Sequence, residues 1–546
     1  STLFVCTKVQ KTNRQNKMRI TLLLVAVCAI AAIAVKSPPT WPKQYYVEGI
    51  FTLPYVNLEE PVAMHYDAVN NRQRMSYYNG QDIYTWRWDK QLLYEVVPRI
   101  NKMTCFVQEA GTGPMVTVLP DLSTWTYAGK SKQRNIMCDT WTQTVTNFNK
   151  TAHYYFYESE GVPVKLYLEG YDFVFGSHPD LYEFTYDLYI PNYVDEMVFD
   201  EPKLCEGQKP IANVGRLHRA KQLLGKMNVL NPRKATNEFE EFAARFQKFH
   251  FVEEVEKRTA IYNANKNIIA KHNTQSKATH KLAMNHFGDF DFNEWKNVMT
   301  PKSKPTQTKL THAQKHVSSG ASVPDAIDWR DIGGVTPIKD QGACGSCWTF
   351  GTAGSIEGAW FAKTGHLISL SEQQILDCSW RTWVDDANTG CDGGEAAPAM
   401  QWIVENGGLA TEFDYKYQMQ DGYCRPAVKS SGVRLTGYVN VTVGSEEALK
   451  EAVAQYGPVA IAIDASNPDF TYYTEGVYFN PNCKTAPEEL DHEVLVVGYG
   501  SDGPGLDYWI VKNSWSIYWG DRGFVKMARN RNNACGIASQ ANYPLF

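Results

Sequence analysis

Gln341-Gly342-Ala343-Cys344-Gly345-Ser346-Cys347-Trp348 is the stretch on which the reading of this chain turns. Trp348 to Ala362 can form a helix, which puts Cys347 at a helix N-terminal end. There the dipole favours an anion and lowers the pKa of a thiol. Downstream, Asp491-His492 places an imidazole 145 residues after Cys347, and Asn513-Ser514-Trp515 begins 21 residues later. A lone Cys or His is usually structural. A thiol, an imidazole and a carboxamide in this order supply a nucleophile, its base and an orienting group.

The chemistry needs these types. The thiolate, not the thiol, is the reactive species, and an adjacent imidazolium favours it. His492 then donates its proton to a leaving amine, while Asn513 holds the imidazole orientation. Gln341 offers its side-chain NH₂, with the backbone N–H of Cys347, to a developing oxyanion, each such donor being worth roughly 3 kcal/mol. Trp515 is expected to cover the Asn513–His492 hydrogen bond.

Over about 324–546 the sequence resembles the papain family of cysteine proteases, in its cathepsin-L-like branch. Glu357, Ser371-Glu372-Gln373, Cys391-Asp392-Gly393-Gly394, Gly498-Tyr499-Gly500 and Tyr508-Trp509 carry the likeness further. The resemblance implies an α+β catalytic domain of two lobes at 323–546, with no cofactor and no metal. It implies disulfides Cys344–Cys391, Cys378–Cys424 and Cys483–Cys535, with Cys347 unpaired. It also implies a substrate-binding cleft of Gly393, Gly394, Glu395, Ala396, Ala462, Glu493, Trp515 and Gln540. Glu395 and Glu493 would make the pocket for the second residue upstream of the cut polar, which predicts tolerance of Arg or Lys there. Ser516 replaces the usual Gly, with little effect unless that position needs φ > 0. No His-His insertion lies between Cys378 and Cys391, which favours an endopeptidase.

Upstream, 237–273 reads as helix, with Phe239, Phe242, Phe246 and Phe249 on one face. Glu254, Arg258, Tyr262, Asn265, Ile269 and Asn273 form one stripe. With Ala283-Met284-Asn285-His286-Phe287-Gly288-Asp289 they are similar to an inhibitory cathepsin propeptide, placed at 237–296. Residues 297–322 are expected to be an exposed processing connector. Residues 324–546 hold 28 acidic and 15 basic residues, net −13, and 208–323 hold 20 basic and 9 acidic, net +11. Docking of the two is expected. Carboxylates in 324–546 and His250, His272, His280, His286, His312 and His316 would gain protons in acid and weaken it.

The 546 residues are 43% hydrophobic and 21% charged, with net charge −5, so nucleic acid is not an expected partner. Residues 1–17 read as translated leader or a misassigned start, and 18–34 as a signal peptide. No later segment has 18 unbroken apolar residues, so no transmembrane segment is expected. The secretory pathway, then lysosome or secretion, permits disulfides and glycans at Asn149 and Asn440. Short aromatic and β-branched runs over 35–205 predict an antiparallel all-β domain, sandwich or barrel-like, with Cys105 bridged to Cys138 and no clear partner for Cys205. Residues 206–236 read as linker. The arrangement resembles the insect 26/29 kDa type of protease precursor, which leaves open that the β fragment stays with the catalytic domain. Cystatin-type inhibitors are expected by the same resemblance. The whole reads as a cysteine endopeptidase zymogen acting through a thioester and activated in an acidic compartment. The alternative is a binding protein acting through its β domain.

Overall fold

The computed structural model describes residues 36–546 apart from 54–57, 100–101, 111–114, 148–149, 172–178, 211–236, 247, 249–251, 276–277, 300–310, 343, 381–387 and 426–431. The signal segment, most of the linker, Asn149, Phe249, His250 and the side chain of Glu254 therefore lie outside the described residues.

A first run of strands comprises β1 (Gln44–Leu53), β2 (Leu58–Asp67), β3 (Arg72–Tyr77), β4 (Asp82–Arg87), β5 (Leu92–Arg99) and β6 (Lys102–Glu109). A second comprises β7 (Thr126–Gln133), β8 (Ile136–Asn147), β9 (Lys150–Ser159), β10 (Val162–Tyr171) and β11 (Pro179–Pro191). Each run is an antiparallel meander, and β1 pairs β11. The result is one eleven-stranded sheet rather than two stacked ones, and among the described residues its end strands β6 and β7 do not pair. The reason lies in the core. Inward side chains of both runs, such as Met64, Trp86, Trp141 and Phe184, share one cluster, and the β6–β7 connection fills it with Val116, Val118, Leu119 and Trp125. A sheet filled by its own connection needs no second sheet. A Cβ on Gly49, at a bulge in β1, would stand 2.2 Å from the Thr185 carbonyl oxygen, so glycine alone lets β11 approach.

The expected Cys105–Cys138 bridge is not formed: Cys105 pairs with Cys205, and Cys138 is a buried free thiol. Strands β6 and β8 lie near opposite ends of the sheet, whereas a 3-10 turn at Lys203–Cys205 packs Cys205 against β6. The sheet also touches the catalytic region. Gln420 donates to the Asp82 carboxylate, and Met419 packs on the sheet core.

The segment 237–273 forms two helices, α1 (Glu238–Arg245) and α2 (Val252–Asn273), not one. Phe239, Phe242 and Phe246 cluster with Tyr262 across the break, which lets α1 fold back on α2. The predicted stripe on α2 then grips the chain that follows, through β12 (His280–Leu282) and α3 (Phe292–Met299). Arg258 pairs with Glu294 at 3.0 Å, Asn265 donates to the carbonyls of Gly288 and Phe290, and Asn273 exchanges hydrogen bonds with Leu282.

The connector contributes β13 (Ala313–His316), and the catalytic region opens with β14 (Ile327–Asp328), α4 (Trp329–Ile332), α5 (Cys347–Thr364), α6 (Glu372–Cys378) and α7 (Ala396–Asn406). It continues with β15 (Gly437–Val441), α8 (Glu446–Tyr456), β16 (Val459–Ile463), α9 (Pro468–Thr471) and β17 (Tyr473–Tyr478). It ends with β18 (His492–Ser501), β19 (Asp507–Lys512), β20 (Phe524–Ala528) and β21 (Ala541–Leu545). Its sheet runs β12-β17-β20-β19-β18-β16-β21-β15-β13, so upstream segments extend it at both ends.

The described part of the connector, 311–322, is exposed or half-buried, and it is also tied to the catalytic region. Residues 313–316 add a parallel strand to β15, and Ser318, Ser319 and Gly320 wrap the Glu451 carboxylate. The open edge of β15 offers backbone groups that an exposed chain would leave to water. The opposite charges also meet: Lys281 lies 2.8 Å from Glu475, and Lys296 lies 3.9 Å from Asp491. Among the described residues no helix is long and apolar enough to cross a membrane.

Candidate active site

Cys347 opens α5 and His492 opens β18, while Asn513 directly follows β19. Because β18 and β19 pair antiparallel, with Leu495 opposite Lys512, His492 and Asn513 come to the same end of the sheet. His492 Nε2 lies 2.8 Å from Asn513 Oδ1. A carboxamide oxygen only accepts, so Nε2 carries the hydrogen. Nδ1 is buried and has no protein partner. The Cys347 sulfur faces the backbone N–H groups of Glu493 and Trp348, which puts it against the residue that follows His492. Trp515 is fully buried and stacks on the imidazole at 4.4 Å and 27°.

Burial dominates the ionisation of both groups. It pushes the Cys347 thiol up to about 12, against the smaller pull of the two N–H groups, and it holds the His492 imidazole down to about 4, against the Asn513 hydrogen bond. Both shifts favour the uncharged forms. The sequence suggested a thiolate–imidazolium pair; in the precursor, loss of water reverses that preference.

Gln341 is fully buried. Its Nε2 donates to the Cys344 carbonyl at 2.9 Å, and its Oε1 accepts from Ser514 Oγ at 2.8 Å. These contacts fix the amide and leave one N–H to give. Tyr417, which the sequence did not single out, donates to the Gln341 carbonyl at 2.9 Å and bonds Ser346 Oγ at 2.6 Å. A tyrosine 70 residues downstream of Cys347 carries no local signal of that role. Behind the site, Lys339 Nζ joins Glu357 at 3.2 Å and Glu372 at 2.5 Å, a buried charge cluster linking α5 to α6.

Gly394, Glu395, Ala462, Glu493 and Gln540 line one pocket with Cys347 and His492, and Leu490 and Asp491 join them. Ala462 and Glu493 face each other across β16 and β18. Glu493 turns inward: it is 8% exposed and its Oε2 accepts from the Ala396 N–H at 3.1 Å. Burial, then repulsion by Glu395, raises its carboxyl well above the usual range. Gly393, Ala396 and Trp515 lie outside that pocket lining. A Cβ on Gly394 would meet the Trp348 indole at 2.5 Å, so glycine is required for the close approach.

Disulfides join Cys344–Cys391, Cys378–Cys424 and Cys483–Cys535, and Cys347 is free. Asn440 sits half-buried within β15, and its Oδ1 accepts from Asn542 Nδ2 at 2.7 Å.

Residues 323–545 match the papain family cysteine protease, and 239–295 match the cathepsin propeptide inhibitor domain. A cathepsin L-like peptidase of Aedes aegypti is 46% identical over 298 residues, covering 53% of this chain and 86% of that protein. Cathepsin L of Sarcophaga peregrina is 44% identical over 306 residues, covering 54% and 88%. The solved digestive procathepsin L 3 of the Tenebrio molitor larval midgut superposes with a TM-score of 0.52 at 37% identity, over 57% of this chain and 100% of that one. The chain belongs to the papain family of cysteine proteases. More narrowly, it is a cathepsin-L-like cysteine protease precursor, a hydrolase of peptide bonds preceded by its own inhibitory propeptide. The β-sheet at 44–191 lies outside both family matches.

Ser516 has φ +65°, the left-handed region that disfavours a Cβ. Ser516→Gly should therefore stabilise the precursor by about 0.5 kcal/mol, the relief of strain slightly exceeding the entropy glycine adds to the unfolded chain. Denaturant unfolding of the two proteins checks this; a less stable glycine variant would show that the hydroxyl matters more than the strain.

Proposed function

We propose that this precursor matures into an endopeptidase that works through Cys347, His492, Asn513 and Gln341. The observation that carries the reading is the Asn513–His492 hydrogen bond, which leaves Nδ1 as the nitrogen free to take the thiol proton. Uncovering the cleft returns water to the pair, and with it the thiolate at the start of α5. The sulfur attacks the scissile carbonyl carbon. Charge on its oxygen meets the second N–H of Gln341 and the backbone N–H of Cys347, one of the unpaired donors of a helix start. The C–N bond breaks, the amine leaves with the proton from His492, and water hydrolyses the thioester to regenerate the thiol.

The pocket that holds Glu493 and Glu395 suits a basic side chain at the second substrate residue upstream of the cut. An arriving cation would draw the Glu493 proton off and pair with the carboxylate. Peptide and protein substrates follow, with cystatin-type proteins as inhibitors. Retention of the β fragment after cleavage is supported by the Met419 and Gln420 contacts.

An acidic compartment of the secretory pathway, the lysosome or the extracellular space suits the propeptide. His286 packs against Phe287, with ring centroids 3.9 Å apart. Burial, then the nearby Lys248, holds its imidazole down to about 3 from the usual 6.5, with Asp289 pulling the other way. A released propeptide regains the usual value. The contribution of His286 to docking is thus complete above 6.5 and is lost as pH falls toward about 3.

Acid-treated precursor should hydrolyse peptides and show a new terminus near Ala321 to Pro324, while Cys347→Ser should lose about 10³-fold or more of the rate. In His286→Asn the pH of half-maximal maturation should move down. Undiminished hydrolysis in the serine variant would refute the mechanism, and an unmoved half-point would remove His286 from the trigger. Glu493→Ala should lower kcat/KM for Arg substrates relative to Leu substrates about tenfold, or about 1.4 kcal/mol; an unchanged ratio would show that the pocket does not select charge.

A further inference from the structure

We propose that His272, His280 and Asp469 form a divalent transition-metal site that staples the propeptide to the catalytic region. His272 lies in the last turn of α2, His280 opens β12 and Asp469 lies on α9. One ring nitrogen from each histidine and one Asp469 oxygen all fall within 4.8 Å of one another. Two donors belong to the propeptide and the third to the protease. The complete site therefore exists only while the two are docked.

Three further observations favour a metal over a simple charge pair. The first is His280 itself, which is only 4% exposed yet has no hydrogen-bond partner at either ring nitrogen. Its Nε2 stands 3.7 Å from Asp469 Oδ2, beyond hydrogen-bond reach. Buried polar nitrogens are rarely left so, and a bound ion would satisfy one of them directly. The second is the support behind the carboxylate. Tyr478 donates to Asp469 Oδ1 at 3.0 Å, and Asn480 Nδ2 reaches both oxygens at 3.1 Å, the kind of outer hydrogen bonds that orient a metal-binding carboxylate. The third is His272, whose Nε2 lies 3.2 Å from the His280 carbonyl oxygen. Donation there would fix the tautomer and make Nδ1 the nitrogen left to hold a metal.

Two imidazoles and one carboxylate suit zinc, with water as a fourth ligand. Bonds of about 2.0–2.2 Å place tetrahedral donors about 3.4 Å apart, so the closest pair is already near the required separation and modest side-chain rotation would close the rest. Nothing in the sequence marks the site. The histidines are eight residues apart and the aspartate follows 189 residues after the second, which fits no metal-binding motif.

The proposal rests on propeptide docking and not on the peptidase mechanism. Its test uses the full-length Cys347→Ser precursor, which cannot process itself and lacks the reactive thiol that would bind zinc. Zinc sulfate alone is titrated calorimetrically into this protein and into versions that also carry His272→Gln or His280→Gln. Cobalt(II) absorption gives a second readout, of coordination geometry. The expected result is one equivalent bound, at least about tenfold weaker in each histidine variant, with a tetrahedral cobalt spectrum that both variants lose. His272 is partly exposed, so its variant should fold, and far-ultraviolet circular dichroism verifies that it does. Absence of binding, or equal binding in the folded His272→Gln protein, would overturn the proposal and leave His280 and Asp469 as a charge pair only.

Discussion

The Trp515 indole is the contact on which the precursor depends. One face lies on the His492 imidazole at 4.4 Å. Its surroundings include Phe287 and Trp295 of the propeptide, at 5.6 and 5.4 Å, and Phe470 and Trp519 of the protease, at 5.7 and 5.2 Å. Edge-to-face pairs of this kind add about 0.5–1.5 kcal/mol each beyond the area they bury. The same ring thus packs on the His492 imidazole and receives the propeptide aromatics. With the propeptide in place the surface is dry, and burial raises the Cys347 thiol and lowers the His492 imidazole.

Around that contact the upstream chain is built into the protease rather than laid over it. Strand β12 joins one edge of the catalytic sheet and β13 the other, so backbone pairing sets the register in which Phe287 and Trp295 arrive. The α2 stripe stiffens this arrangement through Arg258, Asn265 and Asn273. On the protease side, three disulfides and the Lys339–Glu357–Glu372 cluster hold the frame that receives it. The N-terminal sheet makes a separate contact, in which Met419 reaches its core.

Much of this was legible because chemistry restricts residue choice. A thiol at a helix start, an imidazole, a carboxamide and an upstream glutamine cannot be exchanged for other types, and the structure brings Cys347, His492, Asn513 and Gln341 to one place. The propeptide stripe was legible for the same reason, since helical spacing puts Arg258, Tyr262, Asn265 and Ile269 on one buried face. What stayed hidden depends on packing between distant parts. The partner of Cys105 is set by sheet order, and the break after Arg245 by the Phe–Tyr262 cluster. The positive φ of Ser516 is invisible in a serine codon, and the inward turn of Glu493 needed the Ala396 N–H that holds it. The opposite shifts of the Cys347 thiol and the His492 imidazole reflect burial, which no motif records.

The measurement closest to the central claim is the rate at which iodoacetamide alkylates Cys347 in the intact precursor near pH 6, with and without Phe287→Ala and Trp295→Ala. Inhibition by burial predicts slow reaction in the native precursor. In the variants it predicts acceleration of at least about tenfold, which a fall of one unit in the thiol pKa would produce. Equal rates, with the thiol as reactive under the intact aromatic cluster as without it, would contradict the claim that the propeptide acts by keeping this surface dry.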